Sequence, residues 1–472
     1  MQQLDWKLRK CQKAYRLCHK KVYNFPFCKT FVSVNNIMTA LTRPWTKRPL
    51  PAEHRANFIH LYLDIAWYGI LSGSAIAFLT IFATRQGADG FQLGLLSAAP
   101  AVVSLAVTLP AGQWLQTRSV SRAVFWTSFW HRLIYLPLIF LPLLGSATFQ
   151  IWALVGLVLL MSLPGTVLAV GFNAMFASAV PPEWRSHVTG WRNALLAICY
   201  MAASLVSGLL LDRLPFPLGY QVVFGIGLVG GMMSSLHLWF VRPSQTGGYQ
   251  NGKSLGDSAR PGMMRSVGDG FKAGIGLRFF TRNGQRARLR SRVLSGPFGP
   301  IVGLLFLFHL AQYLAIPIFP LYWVNQLHLT DAEISLGNAV FYGTVLLGST
   351  QLTRVTNRFQ HKGVLLWGMI TMSLYPALTA VTQNLTLFLI TSAVGGLSWS
   401  LAGGAIANYM LERIPEGERP SHLAWYNLAL NAAILLGSMI GPLFAQQVGL
   451  ATALGVAAVC RFGAALAVRR WG

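Results

Sequence analysis

The chain has 472 residues, 54% hydrophobic and 11% charged, with 38 Lys and Arg against 13 Asp and Glu for a formal net charge of +25. So little charge in so long a chain excludes a water-soluble globular protein, and five cysteines are too few for a disulfide scaffold. The excess of base would suit a nucleic-acid binder, but the bases stand beside apolar stretches, where they set membrane topology or meet anionic lipid headgroups, so no nucleic acid is expected.

Residues 1–56 form a basic segment, with Lys7, Arg9, Lys10, Lys13, Arg16, Lys20, Lys21 and Lys29, that lacks the apolar core of a secretory signal. Its Cys11, Cys18 and Cys28 match no zinc spacing and are expected to be free thiols. Composition changes after residue 37, so 1–37 is expected to be a gene-model extension ahead of Met38, with organelle targeting as the alternative.

A hydrocarbon core about 30 Å thick needs roughly 20 apolar residues per helix. Twelve stretches qualify, at 57–83, 91–115, 123–144, 149–178, 187–211, 219–241, 299–324, 332–356, 363–382, 385–411, 422–446 and 449–468. The chain therefore reads as an all-α polytopic membrane protein with a six-helix bundle over 57–241 and a second over 299–472. Between them, 242–298 is rich in Gly, Ser and Arg and reads as a flexible basic linker. All of the 38 bases except Arg85, Arg132, Arg213 and Arg461 fall on the side that holds both termini, the linker and the turns near 118, 185, 358 and 416. Positive charge stays inside, so both termini are expected in the cytoplasm, in an inner or plasma membrane.

The halves repeat. One constant shift carries Pro181, Arg185, Trp191 and Asn193 onto Pro415, Arg419, Trp425 and Asn427, and a second carries Asp64, Ala66 and Tyr68 onto His309, Ala311 and Tyr313. Twelve helices in two parallel halves, a long basic linker and both ends inside resemble the major facilitator superfamily, and the resemblance runs from about residue 50 to the end. In the family the turn after helix 2 carries a glycine, an acid and bases. Here Gly112, Arg118 and Arg122 are present and Gln116 replaces the acid. The matching turn, Arg354 to Arg358 and Lys362, is also basic and also lacks an acid. With Arg185 and Arg419 these turns are expected to gate the cytoplasmic side. Helix 4 lacks the arginine of many proton antiporters in the family. A glycine-proline bend like that of its drug exporters stands in helix 11, as Gly437, Gly441 and Pro442.

Polar groups in hydrocarbon are costly, which makes them informative. On the first stretch, His60, Asp64, Trp67, Tyr68 and Ser72 recur at steps of three and four. On the seventh, His309, Gln312 and Tyr313 do the same. The resemblance implies that helices 1, 4, 7 and 10 line a central cavity, with Asp64 and His309 on opposite walls as proton-coupling residues. It also implies that Thr166 and Asn173 face Trp399, Ser400 and Asn408 there, while Trp67, Tyr68, Tyr313 and Trp399 make an aromatic pocket. Against these roles stand an Asp64–Arg132 salt bridge, an acid that merely faces water, and a backbone bond for His309. Arg461 is expected to snorkel to the cytoplasmic surface.

The chain has no P-loop, no H-E-x-x-H and no nucleophile elbow, so no enzyme, cofactor or metal is expected. The expected function is a monomeric secondary transporter that moves a small organic solute by alternating access, linked to protons, with export favoured over import. The alternative is a non-transporting relative that acts as an assembly factor or sensor.

Overall fold

A computed structural model describes residues 52–242, 292–414 and 419–472. The segment 1–51, the linker 243–291 and the tip 415–418 lie outside the described residues, and with them the expectations for 1–37, for the three amino-terminal cysteines and for the linker.

Among the described residues, eleven helices are long and apolar enough to cross a membrane. In chain order they begin with α1 (His54–Arg85), α2 (Gly90–Leu115), α3 (Val120–Leu143), α4 (Ala147–Ala179), α5 (Arg185–Arg213) and α6 (Leu218–Phe240). After α7 (Phe298–Gln326) one continuous helical stretch, Asp331–Val381, carries α8 and α9. The last three are α10 (Leu385–Arg413), α11 (Arg419–Val448) and α12 (Leu450–Trp471). Residues His60–Gly472 make one compact unit.

The stretch Asp331–Val381 has 51 residues. A straight helix of that length would measure roughly 76 Å, over twice the hydrocarbon thickness. It turns back at Gln360, where φ is 57°. Its neighbours on α10 record the reversal: Gly337, Gly348 and Leu352 meet Phe388, Ser400 and Gly404 in ascending order, then Gly368 meets Ala402 and Tyr375 meets Gly395 on the way back. Two crossing helices therefore stand where the sequence places them. The first of them is the twelfth span, and its polar Asp331, Glu333, Asn338, Tyr342 and Ser349 account for its weaker apolar character.

Side chains close several helix starts. Asp89 and Gln92 form a reciprocal cap on α2, Thr330 and Glu333 do so on α8, and Ser146 and Asn384 each accept the third N–H of their helices. Within α1, Ser72–Ile76 forms a π turn, a local widening that often marks a working site. There Gly73 lies against the backbone of Tyr200 on α5. The related contact in the second half joins α7 and α11, where Gly437 and Gly441 lie against the backbone at Leu310 and Leu314. Small residues at such crossings let helix backbones approach in lipid, where packing must replace the hydrophobic effect.

One hydrophobic cluster joins the halves at the end that carries turns 86–89, 214–217 and 327–330, packing Phe82, Leu93, Leu211 and Phe224 with Leu321, Leu329, Ile334 and Phe388. At that end Gly94 meets Ser438 and Gly208 meets Ser335. We call it the closed end.

Gly73→Val drives two methyl groups into the Tyr200 carbonyl and is expected to cost about 1–3 kcal/mol. In a thermal unfolding assay of the purified protein it should lower the transition temperature. Gly225→Ala, whose added carbon meets nothing nearer than 4.0 Å, should leave the transition unchanged.

Candidate functional site

Between the halves lies a cavity of about 720 Å³. Its walls come from α1 (Tyr68, Ser72, Ile76), α5 (Asn193, Ala197, Tyr200), α7 (Gln312, Tyr313, Phe319), α8 (Tyr342, Ser349, Thr350), α9 (Tyr375), α10 (Trp399) and α12 (Arg461). Tyr200 and Tyr342 touch each other at its wall, with ring centroids 4.0 Å apart. Gly190, Asn193, Ser349 and Thr350 line it on the side away from the closed end, which is therefore the open end.

Tyr68, Gln312, Tyr313 and Trp399 line this space as expected, and Asp64 and His309 do not. Each step of four residues turns a 3.6-residue helix by about 40°. Between His60 and Ser72 the stripe on α1 therefore rotates by about 120°, so Tyr68 and Ser72 see the cavity while His60 and Asp64 see α5 and α6. His60 Nδ1 lies 3.2 Å from His237 Nδ1 of α6, and its ring stacks on Phe240. Trp67 is half-buried against Gly230 of α6.

Asp64, 3% exposed, is held by two groups. Arg192 of α5 donates Nη1 to Oδ2 at 3.0 Å, Ser234 of α6 donates its hydroxyl to Oδ1 at 2.7 Å, and Arg192 also donates to the Leu61 carbonyl. Arg192 further covers the Phe172 ring at 4.8 Å. The expected partner, Arg132, reaches the Ser234 hydroxyl at 3.4 Å and lies over the Tyr68 ring at 5.5 Å, so the ion pair is Asp64–Arg192 instead. Arg192 lies nearly two turns into α5, and counting it with the cytoplasmic turn hid it. Its two neighbours in sequence belong to the repeat, and the same shift carries Arg192 onto Tyr426.

His309, fully buried, bonds through Nε2 to that Tyr426 hydroxyl of α11 at 3.1 Å. The two shifts found in the sequence thus map the pair Asp64–Arg192 onto the pair His309–Tyr426.

No residue of α4 lines the cavity. Thr166 donates to the Ser162 carbonyl at 2.9 Å and pairs with Ser104 at 3.3 Å, while Asn173 donates to the Ala169 carbonyl at 2.9 Å. On α10, Ser400 donates to the Leu397 carbonyl and packs on Gly348, and Asn408 donates to the Gly404 carbonyl. These four spend their polar atoms on their own helices or on neighbours outside the cavity. Arg461 does not snorkel. It is 1% exposed and donates to the carbonyls of Gln312 (2.9 Å), Met372 (3.2 Å) and Ala311 (3.4 Å).

Among the turn residues, Gly112 is buried, Arg118 covers Trp114 at 5.2 Å, Arg354 donates to Gln351 at 2.9 Å and Arg358 covers Phe359. Arg185 donates to the Ala177 and Val180 carbonyls at the end of α4. Arg122 shares a surface pocket with Trp114, Arg118 and Trp126, and the side chain of Arg419 lies outside the described residues.

The closed end holds a polar latch that the sequence did not single out. From the end of α1, Arg85 donates to the Leu329 carbonyl at 2.6 Å and to Asp331 Oδ1 at 3.2 Å, and Tyr220 of α6 donates to Asp331 Oδ2 at 3.3 Å. Asp212, at the end of α5, accepts the backbone N–H of Asp331 at 3.0 Å and of Ala332 at 3.2 Å. Burial pushes the Asp331 carboxyl above its ordinary range, and the Arg85 guanidinium opposes that shift. A group raised in this way takes up its proton first as the pH falls, so the Arg85 pair exists above that point and is lost on acidification.

The family model described as Major Facilitator Superfamily matches residues 65–295 and 301–471. The Quinolone resistance protein NorA of Staphylococcus aureus is 23% identical over 142 residues, and Multidrug resistance protein 1 of Bacillus subtilis is 25% identical over 142. Each match covers 30% of this chain and 36% of the relative, so the chain spans only about a third of the length of these curated relatives. Among solved structures, a bacterial homologue of the iron transporter ferroportin in its inward-facing state is similar with a TM-score of 0.64 and 15% identity, over 90% of this chain and 99% of that one. An outward-facing form of such a homologue gives 0.54 at 16% identity, over 89% and 99%. The nucleoside transporter NupG gives 0.59 at 11% identity, over 89% and 99%.

Ser335 is buried behind the latch. In a chain otherwise stripped of cysteine, Ser335→Cys should react with a maleimide about fivefold faster when Arg85→Gln is added, the population shift that about 1 kcal/mol produces. Lowering the pH reduces the reactive thiolate equally in both forms, so the rate in the Arg85 form should rise relative to that in the Arg85→Gln form.

Proposed function

Because the chain belongs to the Major Facilitator Superfamily, whose model covers both halves, we propose that it is a secondary transporter moving a small organic solute by alternating access. The observation that carries the reading is the cavity between the halves, latched at one end by Arg85, Asp212, Tyr220 and Asp331 and open at the other. A transporter of this design holds its solute near the middle of the bilayer and rocks one bundle against the other. The family is one of transporters, not enzymes, and the aromatic walls suit an organic solute with an apolar body.

The bases of residues 1–56, of the linker and of the turns at the open end support cytoplasmic termini in an inner or plasma membrane, which makes this form the inward-open one. Arg118 and Arg122, flanked by the exposed Trp114 and Trp126, form a surface suited to anionic headgroups at that interface. Export rests on the partial likeness to the two resistance proteins and on the bend at Pro442. Proton linkage rests on Asp64, the one acid buried inside a span among the described residues. Since Asp64 sits behind Tyr68, a proton acts there by loosening the α1–α5 pair. It does not compete with the solute for one site.

The test uses proteoliposomes with an imposed pH gradient and a panel of amphiphilic solutes. Asp64→Asn alone leaves Arg192 buried without its partner, a loss of about 3–5 kcal/mol, so it is compared with the double variant Asp64→Asn, Arg192→Met. The intact protein should accumulate or expel solute with the gradient, and the double variant should exchange solute without responding to it. Failure of the intact protein to move any solute under any gradient favours the assembly-factor or sensor reading.

A further inference from the structure

The charge inventory of the cavity is one-sided. Among the described residues neither Asp nor Glu lines it, and Arg461 is its one charged wall residue. All three bonds of its guanidinium go to neutral carbonyls, at Ala311, Gln312 and Met372. No ion pair to Arg461 exists among the described residues. A guanidinium carries five N–H donors, so two remain beyond those three bonds. The other buried arginines differ. Arg192 is neutralised by Asp64, and Arg132 stands behind the ring of Tyr68 and outside the cavity.

A full positive charge held inside the bilayer without an anion is expensive. Tethering α12 to α7 and α9 does not require a charge, because a neutral amide can also donate to carbonyls. The counter-charge absent from the walls is most simply supplied by what enters. Arg461 is 1% exposed, so it acts on an anion in the cavity through its field, while Tyr313, Phe319, Tyr375 and Trp399 on the same walls would cover a flat apolar body.

We propose that Arg461 is the anion-recognition residue of the cavity and that the solute class is the aromatic organic monoanion. This rests on the transport reading above for its physiological sense, but not for its binding test. Arg461 selects by charge: an anion gains its field in a space of low dielectric, a neutral isostere gains only the apolar contact, and a cation is repelled.

Three probes that share one ring system separate these terms: 2-naphthoate, 2-naphthamide and 2-naphthylmethylammonium. Binding to the full-length protein in nanodiscs is followed by quenching of its tryptophan fluorescence. Naphthoate should bind at least about tenfold more tightly than the amide, with the ammonium weakest. Arg461→Lys should keep that order, and Arg461→Gln should bring naphthoate down to the level of the amide. Arg461→Gln also alters the helix tether, so the ranking on the intact protein is an independent criterion that needs no variant. Equal or tighter binding of the amide or the ammonium overturns the proposal, as does the absence of saturable naphthoate binding at millimolar concentration. Naphthoate bound with the expected ranking but never translocated in proteoliposomes counts against the transport reading and leaves the anion site standing. Translocation of cations in preference to anions does the reverse.

Discussion

Hydrocarbon offers a polar atom no partner, and the interior of this protein is arranged around that constraint. Many buried polar side chains in the spans close on their own helix, join a neighbour or turn to the cavity, while the hydroxyls of Tyr62, Ser204, Ser207 and Ser438 find no partner among the described residues. Thr166, Asn173, Ser400 and Asn408 satisfy themselves locally, which makes them quiet structural residues despite their position. Asp64, Arg192 and Ser234 satisfy one another and fasten α1 to α5 and α6. The polar groups left over, chiefly tyrosine hydroxyls, Asn193, Gln312 and Arg461, collect where the halves separate.

The duplication is preserved in position more than in chemistry. The α1–α5 contact carries an ion pair, and the equivalent α7–α11 contact carries a neutral His309–Tyr426 bond. The wedge behind α1 is filled by Arg132 from α3, and the wedge behind α7 by Arg461 from α12. Geometry imposed by helix crossing survives such exchange because it depends on small residues such as Gly73 and Gly441. Electrostatics does not survive it, so the two walls of the cavity differ in charge although the backbones that support them correspond.

The fold was legible in the sequence because a bilayer demands about 20 apolar residues at a time, and all twelve stretches are helical. The stretch 332–356 qualifies only weakly by hydropathy because the cavity face of α8 is polar, and the basic turn ahead of Lys362 marks where it ends. The site was legible only in part. Periodicity identified the polar side of α1 but not its slow rotation, which turns Tyr68 to the cavity and Asp64 to α5 and α6. Arg192 was obscured by its nearness to a basic turn. The latch was invisible for a different reason. Arg85 and Asp331 are ordinary turn charges far apart in the chain, and only the meeting of two halves gives them a common purpose.

The start of α8 has one further property. Four N–H groups open any helix without a partner inside it, and here two are met by the helix's own Thr330 and Glu333 and two by Asp212 of the other half. The cap is jointly owned. If the halves part as proposed, α8 keeps enough of it to stay wound, while its remaining two N–H groups and the released carboxylate face one another across the gap. Each lip of the gap then carries both signs, Arg85 and Asp212 on one half and the helix start with Asp331 and Glu333 on the other. Water hydrating both favours the open form, and the same pair draws the halves together again when that water leaves.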